Sequence, residues 1–79
     1  MIANEPIGML PPKATPQELR QTRERVFGLT QAEFGTMLGV TGYSVYRWER
    51  GSRQMTEENT RAMRELVKQR LDAIMRQAS

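Results

Sequence analysis

Between Thr30 and Gly51, the apolar residues Phe34, Leu38, Val40, Val45 and Trp48 recur at spacings that suit two short helices sharing one apolar side. The first helix is expected over Gln31 to Leu38. Gly39 stops it, because a chain turning sharply at a helix end needs a residue tolerant of positive φ. Val40 plugs the corner, and Thr41 caps a second helix running from about Gly42 to Arg50 and ending at Gly51. Thr30 and Glu33 stand at T-x-x-E spacing, so hydroxyl and carboxylate can each satisfy a free backbone N–H at the first helix's start. A helix-interior glycine costs about 1 kcal/mol relative to alanine. Gly35 is therefore expected at a close helix crossing, near Val45.

The flanks carry weaker but readable patterns. Thr15-Pro16-Gln17-Glu18 starts a preceding helix, with Thr15 as cap, Pro16 at the first position and Glu18 completing a second box. That helix runs to about Val26 or Phe27. Leu19 and one of those two form its buried face, and Arg20, Arg23 and Arg25 lie mostly on the other side. Ser52 to Met55 reads as a short loop. Thr56 then caps a last helix whose Glu57 and Glu58 suit the positive end of its dipole. Met63, Leu66, Val67, Leu71, Ile74, Met75 and Ala78 follow at i, i+3, i+4 spacing. So small a domain covers the early part of that stripe, leaving Leu71, Ile74 and Met75 without an intramolecular partner. Such a stripe marks an interface, and Val67, Leu71, Ile74 and Met75 are expected to join two copies of the chain. Residues 1–14 hold three of the four prolines and no helical period, and read as a flexible arm. Ile7, Met9 and Leu10 are its candidates for docking on the domain or for fraying. The expected organisation is an arm (1–14), an all-α domain of four helices (15–67) and an extension of the last helix (68–79).

Helix, three-residue turn, helix is the arrangement that sets a second helix in the DNA major groove. The runs L-T-Q-A-E-F at 29–34, L-G-V-T at 38–41 and W-E-R-G at 48–51 resemble the lambda-repressor-like (Cro/cI, Xre-type) family of DNA-binding regulators. The resemblance spans roughly Leu19 to Leu66. The chain differs in one place: Val26 and Phe27 both precede Gly28, where members commonly have one residue. The resemblance implies a compact four-helix helix-turn-helix fold. It also implies that Arg47, Tyr43 and Gly42 occupy base-contact positions, Gly42 without a side chain to read with. Small stand-alone proteins of this kind often repress their own operon in phages and mobile elements, some beside anti-CRISPR genes; others are antitoxins that also bind a toxin.

The residues themselves support such a site. Val45 and Trp48 point inward, so Gly42, Tyr43, Ser44, Tyr46, Arg47 and Arg50 face out. The Arg47 guanidinium can pair with O6 and N7 of guanine. Tyr43 can pack its ring on a thymine methyl or meet a base or phosphate through its hydroxyl, while Tyr46 meets a phosphate or base at the groove edge or packs beside the first helix. Gln31 is a phosphate candidate, because the free N–H groups of a helix start favour anions. Thr41, Ser44, Arg50 and Arg53 are the others. Glu49 is expected to pair with Arg23 or Arg25.

Composition narrows the alternatives. Seventy-nine residues support one small domain, for which dimerisation is a natural supplement to a limited core. Cysteine and histidine are both absent, which removes disulfides, thiolate zinc sites and histidine-based catalysis. The carboxylates scatter along helix surfaces and caps, so neither an enzyme nor a cofactor is expected. A membrane span and a signal peptide are not discernible, and a cytoplasmic protein is expected. The net charge is +3, and ten of the twelve basic residues are arginine, which suits a polyanionic partner. Double-stranded DNA is the expected partner, read by a homodimer as an inverted repeat.

Overall fold

Thr15, extended at φ −77° and ψ 159°, opens the first helix, its hydroxyl oxygen accepting the Glu18 N–H at 3.1 Å. The computed structural model describes residues 10–78 of the chain. Among these, four α-helices follow one another: α1 (Pro16–Gln21), α2 (Gln31–Leu38), α3 (Gly42–Arg50) and α4 (Glu57–Ala78). The expectations for Ile7 and Met9 lie outside the described residues.

The first helix does not run to its end in the expected α form. From Thr22 to Phe27 it widens into a π-helical turn, closed by Gly28 at φ 65°, whose N–H donates to the Arg23 carbonyl. An i→i+5 turn holds an additional residue without lengthening the helix. It falls where the chain carries both Val26 and Phe27. The widening settles which of them is inward. Phe27 packs on the core, its ring 6.0 Å from that of Phe34, while Val26 stays at the half-buried outer face.

Phe34, Val45, Met63, Leu19, Met55, Ala14 and Trp48 form the core, with Phe27, Leu29, Met37, Leu38 and Val40 packed against it. Two of these were not expected in the core. Met55, in the loop as expected, is fully buried, and Ala14, expected in the arm, is buried beside it. Thr60 accounts for the second. Its buried hydroxyl accepts the Ala14 N–H at 2.9 Å and donates to the Thr56 carbonyl at 2.8 Å, so the last residue of the arm is fastened to α4. Leu10, by contrast, is exposed.

Glu18 also departs from expectation. Its carboxylate does not return to the Thr15 N–H. Instead it receives two hydrogen bonds from Arg64, at 2.9 and 2.8 Å, tying α1 to α4. A forked guanidinium–carboxylate pair holds both partners in one plane, and it raises the Arg64 pKa above its ordinary value. Thr56 caps α4 as expected, accepting the Asn59 N–H at 3.0 Å. Beyond Met63 the helix runs away from the core. Leu66 and Val67 are half-buried, and Leu71, Ile74 and Met75 are exposed.

Candidate nucleic-acid interface

The α2–α3 unit is built from caps, glycines and one backbone crossing. Both halves of the capping box form at the head of α2: Thr30 Oγ1 accepts the Glu33 N–H at 3.1 Å, and Glu33 Oε1 accepts the Thr30 N–H at 2.9 Å. Gly39, at φ 77°, ends the helix, and Val40 N–H closes back on the Gly35 carbonyl at 2.8 Å. Thr41 then caps α3 by accepting the Ser44 N–H at 3.0 Å.

Gly35 sits at the crossing, but against backbone rather than Val45. A Cβ there would lie 2.8 Å from both the Val40 oxygen and the Thr41 carbonyl carbon. Gly42 faces the same contact from the other side, where a Cβ would lie 2.9 Å from the Ala32 Cα. The absent side chain at Gly42 thus serves the approach of α2 to α3. Its Cβ direction points into that contact, which corrects the expectation that position 42 faces outward.

With one face seated this way, α3 buries Val45 and Trp48 and turns Tyr43, Tyr46 and Arg50 to the surface; Ser44 and Arg47 are half-buried at its sides. The outward residues touch one another. The rings of Tyr43 and Tyr46 are stacked with centroids 6.1 Å apart. The Arg47 guanidinium lies 5.6 Å from the Tyr43 ring centre, and that of Arg50 lies 5.9 Å from the Tyr46 ring centre. Arg50 Nη1 also donates to the Tyr46 hydroxyl at 2.8 Å. Tyr46 is therefore at the surface rather than buried beside α1.

Beneath this face lies an ion pair. The Glu49 side chain is only 2% exposed. It accepts from Arg23 Nε at 2.6 Å, Arg23 Nη2 at 3.0 Å and Gln31 Nε2 at 3.1 Å. Arg23 also donates to the Leu29 carbonyl at 2.9 Å. Of the two arginines expected to pair with Glu49, Arg23 does so, and it is buried rather than on the outer side of its helix. Burial pushes the Glu49 carboxyl up, but the hydrogen bonds from Arg23 and Gln31 outweigh it and hold the group below its ordinary value. Glu49 in turn raises the Arg23 pKa. This network fixes α1, the head of α2 and α3 together.

The expected phosphate contacts do not form one cluster. Gln31 is half-buried, with its amide donating one hydrogen bond to Glu49. It shares a cleft with Arg20, Tyr46, Glu49 and Arg50. Arg20 was not singled out in the sequence as a site residue, although its position one turn before Arg23 gave a signal. Thr41 and Ser44 are joined through their hydroxyls at 3.1 Å as well as through the cap. Arg53 stands apart, lining a cleft with Ala14, Thr15, Pro16 and Trp48.

A separate apolar groove runs along α4, lined by Leu10, Val67, Leu71 and Met75 and edged by Arg64, Lys68 and Asp72. Among the described residues, no helix is long and apolar enough to cross a membrane. No protein-family model, curated protein or solved structure matches the chain.

Proposed function

We propose that this chain is a sequence-specific regulator that binds double-stranded DNA, with α2 and α3 as a lambda-repressor-like helix-turn-helix and α3 as the reading helix. The observation that carries the proposal is the two-sidedness of α3. One face is locked into the core through Val45, Trp48 and the backbone contact at Gly35 and Gly42; the other offers two tyrosines and two arginines to the outside. A major-groove helix needs such a division, with a rigid seat behind it and hydrogen-bonding side chains in front. Arg47 and Tyr43 are the assigned base contacts, with Tyr46 at the groove edge. Arg50, Thr41, Ser44, Gln31 and Arg53 serve the phosphates, and Arg20 joins them through the cleft it shares with Arg50 and Gln31.

The reading is tested by selecting ligands from a randomised duplex library. An enriched inverted repeat is expected, and a selected pool without a consensus would reject sequence-specific binding. Arg47→Ala is expected to weaken binding to the preferred site by about 1–3 kcal/mol and to relax one position per half-site. Unchanged affinity would remove Arg47 from the reading set.

A single module reads few base pairs, and two copies on a two-fold axis would span half-sites about 34 Å apart. The exposed Leu71, Ile74 and Met75, with Val67 beside them, are assigned to that homodimer. Leu71→Glu combined with Ile74→Glu is expected to give a monomer by light scattering. A dimer that persists would place the interface elsewhere. Concentration-dependent occlusion of its own promoter is the mode of regulation this implies.

The same apolar groove supports a second reading, an antitoxin whose α4 holds a protein partner and whose α3 controls the operon. Arg47→Ala separates the two activities, since it is expected to weaken operator binding by about 1–3 kcal/mol and leave toxin neutralisation intact.

A further inference from the structure

Tyr43, Tyr46, Arg47 and Arg50 spell Tyr-x-x-Tyr-Arg-x-x-Arg along α3. The i,i+4 relation joins Tyr43 to Arg47 and Tyr46 to Arg50. Helical side chains lean toward the N-terminus, so the residue at i+4 lies over the residue at i. Arginine following tyrosine by four therefore brings the guanidinium back onto the ring, whereas the reverse order would carry it away. Both pairs obey this order, with guanidinium-to-centroid distances of 5.6 and 5.9 Å. The two rings are themselves stacked, so the four side chains form one surface layer.

We infer that Tyr43 and Tyr46 are positioning residues that hold Arg47 and Arg50 as a preformed pair of forks before any ligand arrives. The inference deepens the DNA-binding reading above and rests on it for its ligand. An arginine free in solution loses rotamer freedom on binding, and a fork already held against a ring loses less of it. The direction of the lean matters as well. Arg47 and Arg50 belong to the last turn of α3, yet their guanidinium groups are drawn toward the N-terminal half, the half that meets base edges in this motif.

The two tyrosines are not equivalent. Tyr43 is 66% exposed and its ring supports Arg47, the residue assigned to guanine. Tyr46 additionally accepts a hydrogen bond from Arg50, which leaves its own O–H proton available to donate outward. Removing the Tyr46 hydroxyl therefore weakens binding uniformly across sequences, while removing the Tyr43 ring weakens discrimination at one base pair.

The test compares wild type, Tyr43→Phe and Tyr43→Leu, substitutions at an exposed site that leave the core untouched. In the protein without DNA, the Arg47 side-chain proton resonances are expected to be shifted upfield by the ring. Phenylalanine preserves the shift and leucine abolishes it. On the duplex that wild type prefers, compared with the same duplex carrying 7-deazaguanine at the position Arg47 reads, Tyr43→Phe is expected to keep the wild-type ratio of affinities, whatever its own base contact contributes to overall binding. Tyr43→Leu is expected to lose about three- to tenfold in discrimination, with the salt dependence unchanged. Arg47 resonances at solvent values in wild type, or unaltered by Tyr43→Leu, would overturn the inference, as would undiminished discrimination in that variant. A wild-type protein with no preferred duplex would instead sink the DNA reading, and the resonances of the free protein would still decide whether Tyr43 positions Arg47.

Discussion

Glu49→Ala is expected to destabilise the fold by about 3–5 kcal/mol, because it takes the buried counter-charge from a desolvated guanidinium. The Arg23 side chain is 11% exposed and that of Glu49 only 2%. Two partners soften the loss, since Arg23 keeps its bonds to the Leu29 carbonyl and to Glu24, the latter at 3.3 Å. Gln31 also loses the acceptor for its amide. Urea denaturation measures the effect, and a loss below about 1 kcal/mol would mean the pair behaves like an exposed salt bridge.

The same pair has a pH signature. Glu49 is held below its ordinary value of 4.5 in the folded chain. Its contribution is therefore fully present above that value and is lost as pH falls through the lower folded one. Glu49→Gln keeps the shape and an acceptor without the charge, so its stability is expected to fall less steeply on the acid side than that of wild type. An identical acid limb in both proteins would contradict the assignment.

Gly35→Leu is expected to cost about 3 kcal/mol or more, at the upper end of overpacking effects. A Cβ at this position meets the Val40 oxygen, the Thr41 carbonyl carbon and the Gly42 nitrogen within 2.9 Å. All three are backbone atoms of the corner, so no rotamer change relieves the contact. Relief requires α3 to lift away from α2, which also breaks the seat behind the exposed face. Even alanine, which would gain about 1 kcal/mol in helix propensity, brings the same Cβ into the same contact. Thermal melting decides the matter, and a leucine variant melting at the wild-type temperature would refute the crossing.

The helix ends were legible because they depend on local chemistry. Thr30 with Glu33, Gly39, Thr41, Gly51 and Thr56 act within a few residues of themselves, and the sequence shows both partners. Phe34, Val45 and Trp48 were legible through their period. What stayed hidden depends on segments distant in the chain. Glu18 could cap its own helix or reach Arg64, and only the docking of α4 decides between them. Ala14 and Met55 have no periodic context, and their burial follows from where the two flanks of the domain meet, at Thr60 for Ala14. The π-helical turn at Thr22–Phe27 goes with Phe27 rather than Val26 against the core, a choice that periodicity of 3.6 leaves open. At the candidate site, the outward direction of Tyr43, Tyr46 and Arg50 followed from the inward direction of Val45 and Trp48. The stacking among them, and the cleft that brings in Arg20, required side-chain positions.

The most direct measurement is a gel-shift titration of the purified protein on the DNA immediately upstream of its own gene, with Arg47→Ala alongside and salt varied. Tight binding to a short inverted repeat, weakened in the variant and falling steeply with salt, is the predicted result. Weak binding without a preferred site, identical for wild type and Arg47→Ala, would contradict the reading of α3 as a DNA-recognition helix.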